Sequence, residues 1–241
     1  MRKNNSNANK STRKAARKAR SKSREETQLE KQDKNTPIEI EWRTEAQAKA
    51  WATVVDSDVS FLMGSAGSGK TFVAMAYAIN EILNQRRSKI ILTRPIVEAG
   101  ERLGFLPGSF NDKVDPYMRP LYDAMDKLLG RYSAKREIIN KAVEIAPLAY
   151  MLGRTFDDSV CVLDEAQNAN YMQLSLFLTR FGNNTKVIVT GDPRQSNLPV
   201  SPAPIKEVVT RLKDIKGIGH FQFSNRDVVR HPLVSAILDK I

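Results

Sequence analysis

The segment Gly64-Ser65-Ala66-Gly67-Ser68-Gly69-Lys70-Thr71 fits the pattern G-x-x-x-x-G-K-[ST] at every fixed position. Its glycines let successive backbone N–H groups turn inward on one point. Such a turn needs a strand to deliver it and a helix to receive it. Both are legible in the chain: Val59-Ser60-Phe61-Leu62-Met63 is a short apolar run ahead of it, and over residues 71–83 Val73, Ala76, Tyr77 and Ile82 recur at helical spacing. The inward N–H groups and the positive end of the helix select an anion, phosphate above all. The segment therefore predicts a site for ATP or a similar nucleoside triphosphate, with residues 64–71 around the phosphates. Lys70 is expected to reach the β- and γ-phosphates, and the Thr71 hydroxyl to complete the coordination of Mg²⁺.

Further apolar or β-branched runs stand at residues 89–93, 160–163, 187–190 and 220–223, with helical segments between them and another helix over residues 42–55. Five short strands alternating with helices predict an α/β domain, a mostly parallel central sheet covered on both faces. With the glycine-rich turn, that is the three-layer sandwich of a RecA-like P-loop NTPase. Ligands of such sheets bind at the carboxyl ends of the strands. There the run Val160-Cys161-Val162-Leu163 ends in Asp164-Glu165. Asp164 is expected to hold Mg²⁺ through its waters and Glu165 to polarise the attacking water; the competing reading of Glu165 is an acid that complements a helix dipole. Thr190-Gly191-Asp192-Pro193-Arg194-Gln195 follows another strand. A strand beside the other two would aim Gln195 at the γ-phosphate or the water, and the alternative is a simple Gly-Asp-Pro turn.

The formal net charge of +11 is not spread along the chain. Residues 1–24 hold ten Lys or Arg and no acid, which leaves a balance of +1 for the rest. Residues 1–35 contain no aromatic side chain, and Met1 and Leu29 are their only apolar side chains larger than alanine. Such a segment cannot bury enough surface to order itself, so a disordered basic tail is expected over 1–35 and a globular domain over 36–241. Arg13, Lys14, Arg17, Lys18 and Lys22 would form a basic stripe on a helix formed against a polyanion, RNA or single-stranded DNA; the bland reading is a solubilising tail. Residues 96–150, with Gly100, Gly104, Pro107, Gly108, Pro116 and Pro120 ahead of a helical stretch at 121–129, are expected to be an ordered insertion beside the sheet. The single Cys161 excludes an internal disulfide and lies in an apolar run, which makes it a core residue. No apolar run approaches the roughly 18 residues of a membrane span, and no secretory signal is legible, so a cytoplasmic protein is expected.

Longer stretches match a known pattern. Arg94-Pro95-Ile96-Val97-Glu98-Ala99-Gly100-Glu101, Leu103-Gly104-Phe105-Leu106-Pro107-Gly108, Val114-Asp115-Pro116-Tyr117, Leu163-Asp164-Glu165-Ala166-Gln167-Asn168, the Thr190-Gly191-Asp192 turn and Asp227-Val228-Val229-Arg230-His231-Pro232-Leu233-Val234 occur in this order. Over residues 37–238 the chain closely resembles the PhoH-like ATPases, a family related to the first motor domain of superfamily 1 helicases. The resemblance implies ATP hydrolysis with Mg²⁺. It places Gln47 as the residue that reads adenine, against the alternative of a surface residue on the first helix. It puts Thr93 and Arg94 where helicases touch the nucleic-acid backbone. It also suggests Arg230, at the start of the last helix, as a guanidinium that stabilises transition-state charge in its own subunit or a neighbour's. Arg154 matches the pattern without an assigned role. One motor domain lacks the second half of a helicase engine, so a homo-oligomer, such as a ring with ATP between subunits, is expected. The rival function is an ATP-switched regulatory or structural binding module without motor activity. A small-molecule kinase is a weaker third reading, since no arginine-rich lid is legible.

Overall fold

Six strands form one sheet: β1 (Val59–Met63), β2 (Lys89–Thr93), β3 (Val143–Ile145), β4 (Ser159–Leu163), β5 (Lys186–Gly191) and β6 (Ile218–Gln222). The computed structural model describes residues 36–95, 110–130, 133–200 and 202–229. The strand order is β3-β2-β4-β5-β1-β6, and every pair is parallel. Thr93 is level with Leu163, Leu163 with Val189, and Met63 with Gly191, so four strands end side by side on one edge. Strands β1, β4 and β5 are buried along their whole length. That burial follows from their near-continuous aliphatic sequences and leaves room for helices on both faces.

Side chains alternate between two cores. Leu62, Ile90, Leu92, Val160, Val162 and Ile188 face the first, together with helices α1 (Glu45–Asp56), α2 (Lys70–Leu83), α3 (Phe110–Leu129) and α4 (Ala134–Ala142). Phe61, Met63, Ile91, Cys161, Leu163, Val187 and Val189 face the second, against α5 (Tyr171–Leu178) and α6 (Pro204–Leu212). Each large aliphatic side chain buried in these cores contributes about 1.5–3 kcal/mol. Helix α2 is apolar nearly all round, because it lies between the sheet and the outer helices α3 and α4. Helix starts are capped from the sequence: Thr44 accepts from the Gln47 N–H at 3.2 Å, and Asn170 and Gln173 form a reciprocal capping box with both bonds at 2.9 Å.

The expected strands at 59–63, 89–93, 160–163 and 187–190 are present, and the fifth lies at Ile218–Gln222. The sixth, β3, lies within the segment expected to stand beside the sheet. It pairs with β2 through Ile90–Val143, Ile91–Glu144 and Leu92–Ile145, so residues 96–150 supply an edge strand as well as helices. The helix expected over 121–129 runs from Phe110, through Pro116 and Pro120. Residues 1–35, 96–109 and Arg230 lie outside the described residues. Among the described residues, no helix is long and apolar enough to cross a membrane.

Candidate nucleotide site

The glycine-rich turn leaves β1 at Gly64, whose N–H donates to the Gly191 carbonyl at 3.0 Å. Gly64 has φ +143°, and a Cβ there would lie 2.7 Å from Phe223 Cβ. Only glycine lets the chain pass so close to the strand end of β6. Gly69, at φ +92°, turns the chain into α2. A Cβ at that position would collide with the Gln47 amide. The Lys70 ammonium reaches back across the turn and donates to the carbonyls of Gly64 at 2.6 Å and Ser65 at 2.9 Å.

Gln47 is buried against this loop, only 4% exposed. Its Nε2 donates to the Ser68 carbonyl at 3.2 Å, and its Oε1 accepts from the Arg43 N–H at 3.1 Å. The side opposite is held by the segment that follows β6. There the Val229 N–H donates to the Gly67 carbonyl at 3.1 Å, and Ser65 Oγ donates to Asn225 Oδ1 at 2.9 Å. Arg194 joins the same cluster, donating to Ser65 Oγ and, at 3.1 Å, to Asn225 Oδ1.

Strand β4 delivers the acids. Asp164 is 2% exposed, and its Oδ1 accepts from the Thr71 hydroxyl at 2.8 Å and from the Thr190 hydroxyl. One carboxylate oxygen therefore links the helix after the loop, the acid strand and β5. Glu165 adopts φ +54°, ψ +40°, a left-handed conformation that a non-glycine residue seldom takes. Its Oε2 accepts from Gln167 Nε2, and its Oε1 stands 3.4 Å from Arg94 Nη2. Gln167 is itself buried, and its Oε1 accepts from the Asp192 N–H at 3.0 Å, so one amide joins Glu165 to the turn after β5. In that turn the Gln195 N–H donates to the Asp192 carbonyl at 2.9 Å, while the Gln195 side chain is exposed at the site.

These groups border a cleft of about 880 Å³. Lys70, Thr71, Glu165, Asp192 and Gln195 line its phosphate-loop end. Trp42 and Phe72, edge to face with ring centres 6.4 Å apart, line it as well, with Gln47 and Arg43. Pro120, Asp123, Ala124 and Lys127 of α3 close one wall at the i, i+3, i+4, i+7 spacing of a single helix face. The segment expected as an ordered insertion beside the sheet thus lines the site.

The Thr71 hydroxyl and Asp164 carboxylate are two hard oxygen donors converging at the phosphate loop, and they fit Mg²⁺, which takes few protein ligands beside water and phosphate. Among the described residues no cluster of three or more His, Cys, Asp or Glu offers a different kind of metal site.

Among the residues singled out by resemblance, Thr93 is fully buried, and its hydroxyl has no hydrogen-bond partner among the described residues. Arg94 points to Glu165 and donates through Nη1 to the Tyr117 carbonyl of α3 at 3.3 Å. Arg154 pairs with Glu144 of β3 at 2.5 Å and lies 4.7 Å over the Phe156 ring, tying the edge strand to the approach of β4. The sequence reading did not single out Gln167, Arg194 or the cleft-facing residues of α3. The spacing of residues 120, 123, 124 and 127 was the available signal for the last of these.

A family model described as PhoH-like protein matches residues 39–241. A PhoH-like protein of Bacillus subtilis is 46% identical over 216 residues, covering 88% of this chain and 66% of that protein. Protein PhoH of Escherichia coli is 40% identical over 201 residues, covering 81% of this chain and 56% of its own length. The chain thus spans between about half and two thirds of the length of these relatives. Among solved structures, the large terminase of a thermophilic bacteriophage superposes with a TM-score of 0.54 at 14% identity, over 85% of this chain and 50% of that one, a likeness of fold alone.

Proposed function

The chain belongs to the PhoH-like protein family, and from that premise we propose that it hydrolyses ATP with Mg²⁺ and couples turnover to RNA or single-stranded DNA. The P-loop fold and the family make it a nucleotide-binding protein. One observation carries the step from binding to hydrolysis: the bond between Thr71 and the buried Asp164. It ties the phosphate loop to the acid strand beside Glu165, which lines the same cleft, and so supports Glu165 as the residue that faces the γ-phosphate.

On ATP binding the Lys70 ammonium exchanges two neutral carbonyls for charged phosphate oxygens, a stronger pairing. Thr71 and Asp164 are the residues that would hold Mg²⁺, which when bound neutralises charge on the phosphate oxygens. Glu165 orients a water and accepts its proton as the water oxygen bonds to the γ-phosphorus and the bond to the bridging oxygen breaks. ADP and inorganic phosphate leave. Gln195, exposed at the cleft, is suited to contact the terminal phosphate or that water. Gln47, fixed on Ser68 and Arg43, still has one amide proton and one lone pair for a base edge. Arg230 lies outside the described residues, and its proposed part, stabilising transition-state charge, rests on the family resemblance and on the permanent charge of its guanidinium.

The basic tail supports the nucleic-acid part of the proposal through its charge. We propose a homo-oligomer as well, expected to show a specific activity that rises with protein concentration. The test is steady-state ATP hydrolysis by the full chain with and without RNA and single-stranded DNA, beside Glu165→Gln. Glu165→Gln is expected to lose at least about 100-fold in kcat while still binding ATP. Wild-type turnover in the variant would remove Glu165 from the chemistry. Hydrolysis indifferent to nucleic acid would favour the switched binding module. That second reading is supported by Arg194, which joins the turn after β5, the phosphate loop and the segment after β6 in one hydrogen-bonded cluster.

A further inference from the structure

Both carboxylate oxygens of Glu165 are already engaged. Gln167 Nε2 donates to one, and Arg94 Nη2 stands 3.4 Å from the other. Each contact occupies one lone-pair direction, leaves the other on that oxygen open, and restrains the orientation of the side chain. The two restraints differ in strength. Gln167 is buried and bonded at its far end to the Asp192 N–H, so it is fixed. Arg94 is 21% exposed at the side chain, stands at the carboxyl end of β2, and is held at 3.4 Å by Glu165 and at 3.3 Å by the Tyr117 carbonyl. Both distances exceed the roughly 2.7–2.9 Å of a strong charge-assisted bond. A phosphodiester, which accepts two parallel N–H bonds from one guanidinium, is a better partner than either.

We propose that Arg94 is a restraint on Glu165, released when a phosphodiester of a bound single-stranded nucleic acid takes its guanidinium. Arg94 is then a positioning residue that acts through Glu165, and nucleic-acid stimulation is the removal of a hold. The inference rests on the ATPase reading above and names how the partner would act on that site.

The experiment measures kcat and KM for ATP in the full chain, Arg94→Ala and Arg94→Lys, each alone, with single-stranded RNA, with single-stranded DNA and with heparin. Affinity for a non-hydrolysable ATP analogue is measured alongside and reports on the fold. Arg94→Ala is expected to raise kcat without nucleic acid by about two- to five-fold, the rate equivalent of a partly exposed ion pair. KM and analogue affinity should stay unchanged, and the stimulation ratio should fall toward one. Arg94→Lys, which keeps the charge without the planar fork, should lie between. The RNA and DNA arms identify the source of the phosphodiester, and equal stimulation by heparin would overturn the nucleic-acid partner. A fall in kcat at unchanged analogue affinity would mean that Arg94 supports Glu165, and would overturn the restraint. If Arg94→Ala does not bind the analogue, Arg94→Lys decides by the same signs. A wild-type chain without turnover would instead overturn the ATPase reading beneath it.

Discussion

A methyl group on Gly64 would meet Phe223 Cβ at 2.7 Å and the Phe223 carbonyl oxygen at 2.9 Å, at a φ of +143°. Strain and overlap combine, so Gly64→Ala is expected to cost about 2–4 kcal/mol and to displace the loop whose N–H groups would face phosphate. Urea denaturation should show the lowered midpoint, and nucleotide titration the weakened site. Cys161 is governed mainly by burial, which outweighs its hydrogen bond with Ser159. It lies in the second core, and desolvation pushes its thiol up to about 11 from the ordinary 9.0. At about pH 8 only about one thiol in a thousand is then ionised, so a thiol reagent should leave the native chain unlabelled and react as urea unfolds it. The sign of the linkage follows: from about 9 to about 11 the unfolded chain gives up this proton first, so stability falls as pH rises through that window. Labelling of the native chain at neutral pH would contradict the buried placement. The glycine-rich turn and Cys161 were legible because their signals are local. Gln167 and Arg194 were not, since Gln167 reaches Asp192, and Arg194 reaches Ser65 and Asn225, only through the β4–β5, β1–β5 and β1–β6 pairings.

Strands and helices announced themselves to the degree that their sequences were periodic. β1, β4 and β5 are mostly apolar runs, and their order in the sheet puts β5 between the loop strand and the acid strand. β3 is three residues with a glutamate in the middle, and nothing local distinguishes it. It is a strand because Ile90, Ile91 and Leu92 present an edge to it. The prolines at 116 and 120 hid the first half of α3, although its cleft-facing residues keep a helical period. A tie between two elements yields a further expectation. Lys186, at the start of β5 and 4% exposed, donates its ammonium to the carbonyls of Val54, Val55 and Ser57, closing the carboxyl end of α1, and sits 5.1 Å over the Tyr77 ring. A cation at a helix carboxyl terminus also complements its dipole. Lys186→Met would leave those carbonyls unpaired in a buried place, at a cost of about 2–3 kcal/mol. Because α1 carries Gln47 onto the phosphate loop, ATP affinity should fall with stability. Calorimetry and nucleotide titration would measure both; an unchanged melting temperature would show that water serves those carbonyls as well as the ammonium does.

Charge is the property of the whole molecule that its parts do not share. The ten basic residues in positions 1–24 carry almost the entire net charge of +11, while the P-loop domain is nearly neutral. If nucleic acid is held mainly by the tail, most of the salt dependence of affinity must come from the tail. For single strands log K falls with log salt by about 0.7 for each phosphate neutralised. If half of those basic groups engage phosphates, the full chain should lose about 3.5 units of slope when residues 1–34 are removed. The slope left to the domain would report contacts such as Arg94. The measurement is anisotropy of a labelled single-stranded RNA across a salt series, with circular dichroism confirming that the shortened chain is folded. ATP turnover adds the second half of the test. If the tail only concentrates RNA near the cleft, saturating RNA at low salt should restore stimulation to the shortened chain. If stimulation stays lost at saturation, the tail itself acts on the ATP site. Equal slopes in both chains would place nucleic-acid binding on the domain and reduce the tail to a solubilising segment.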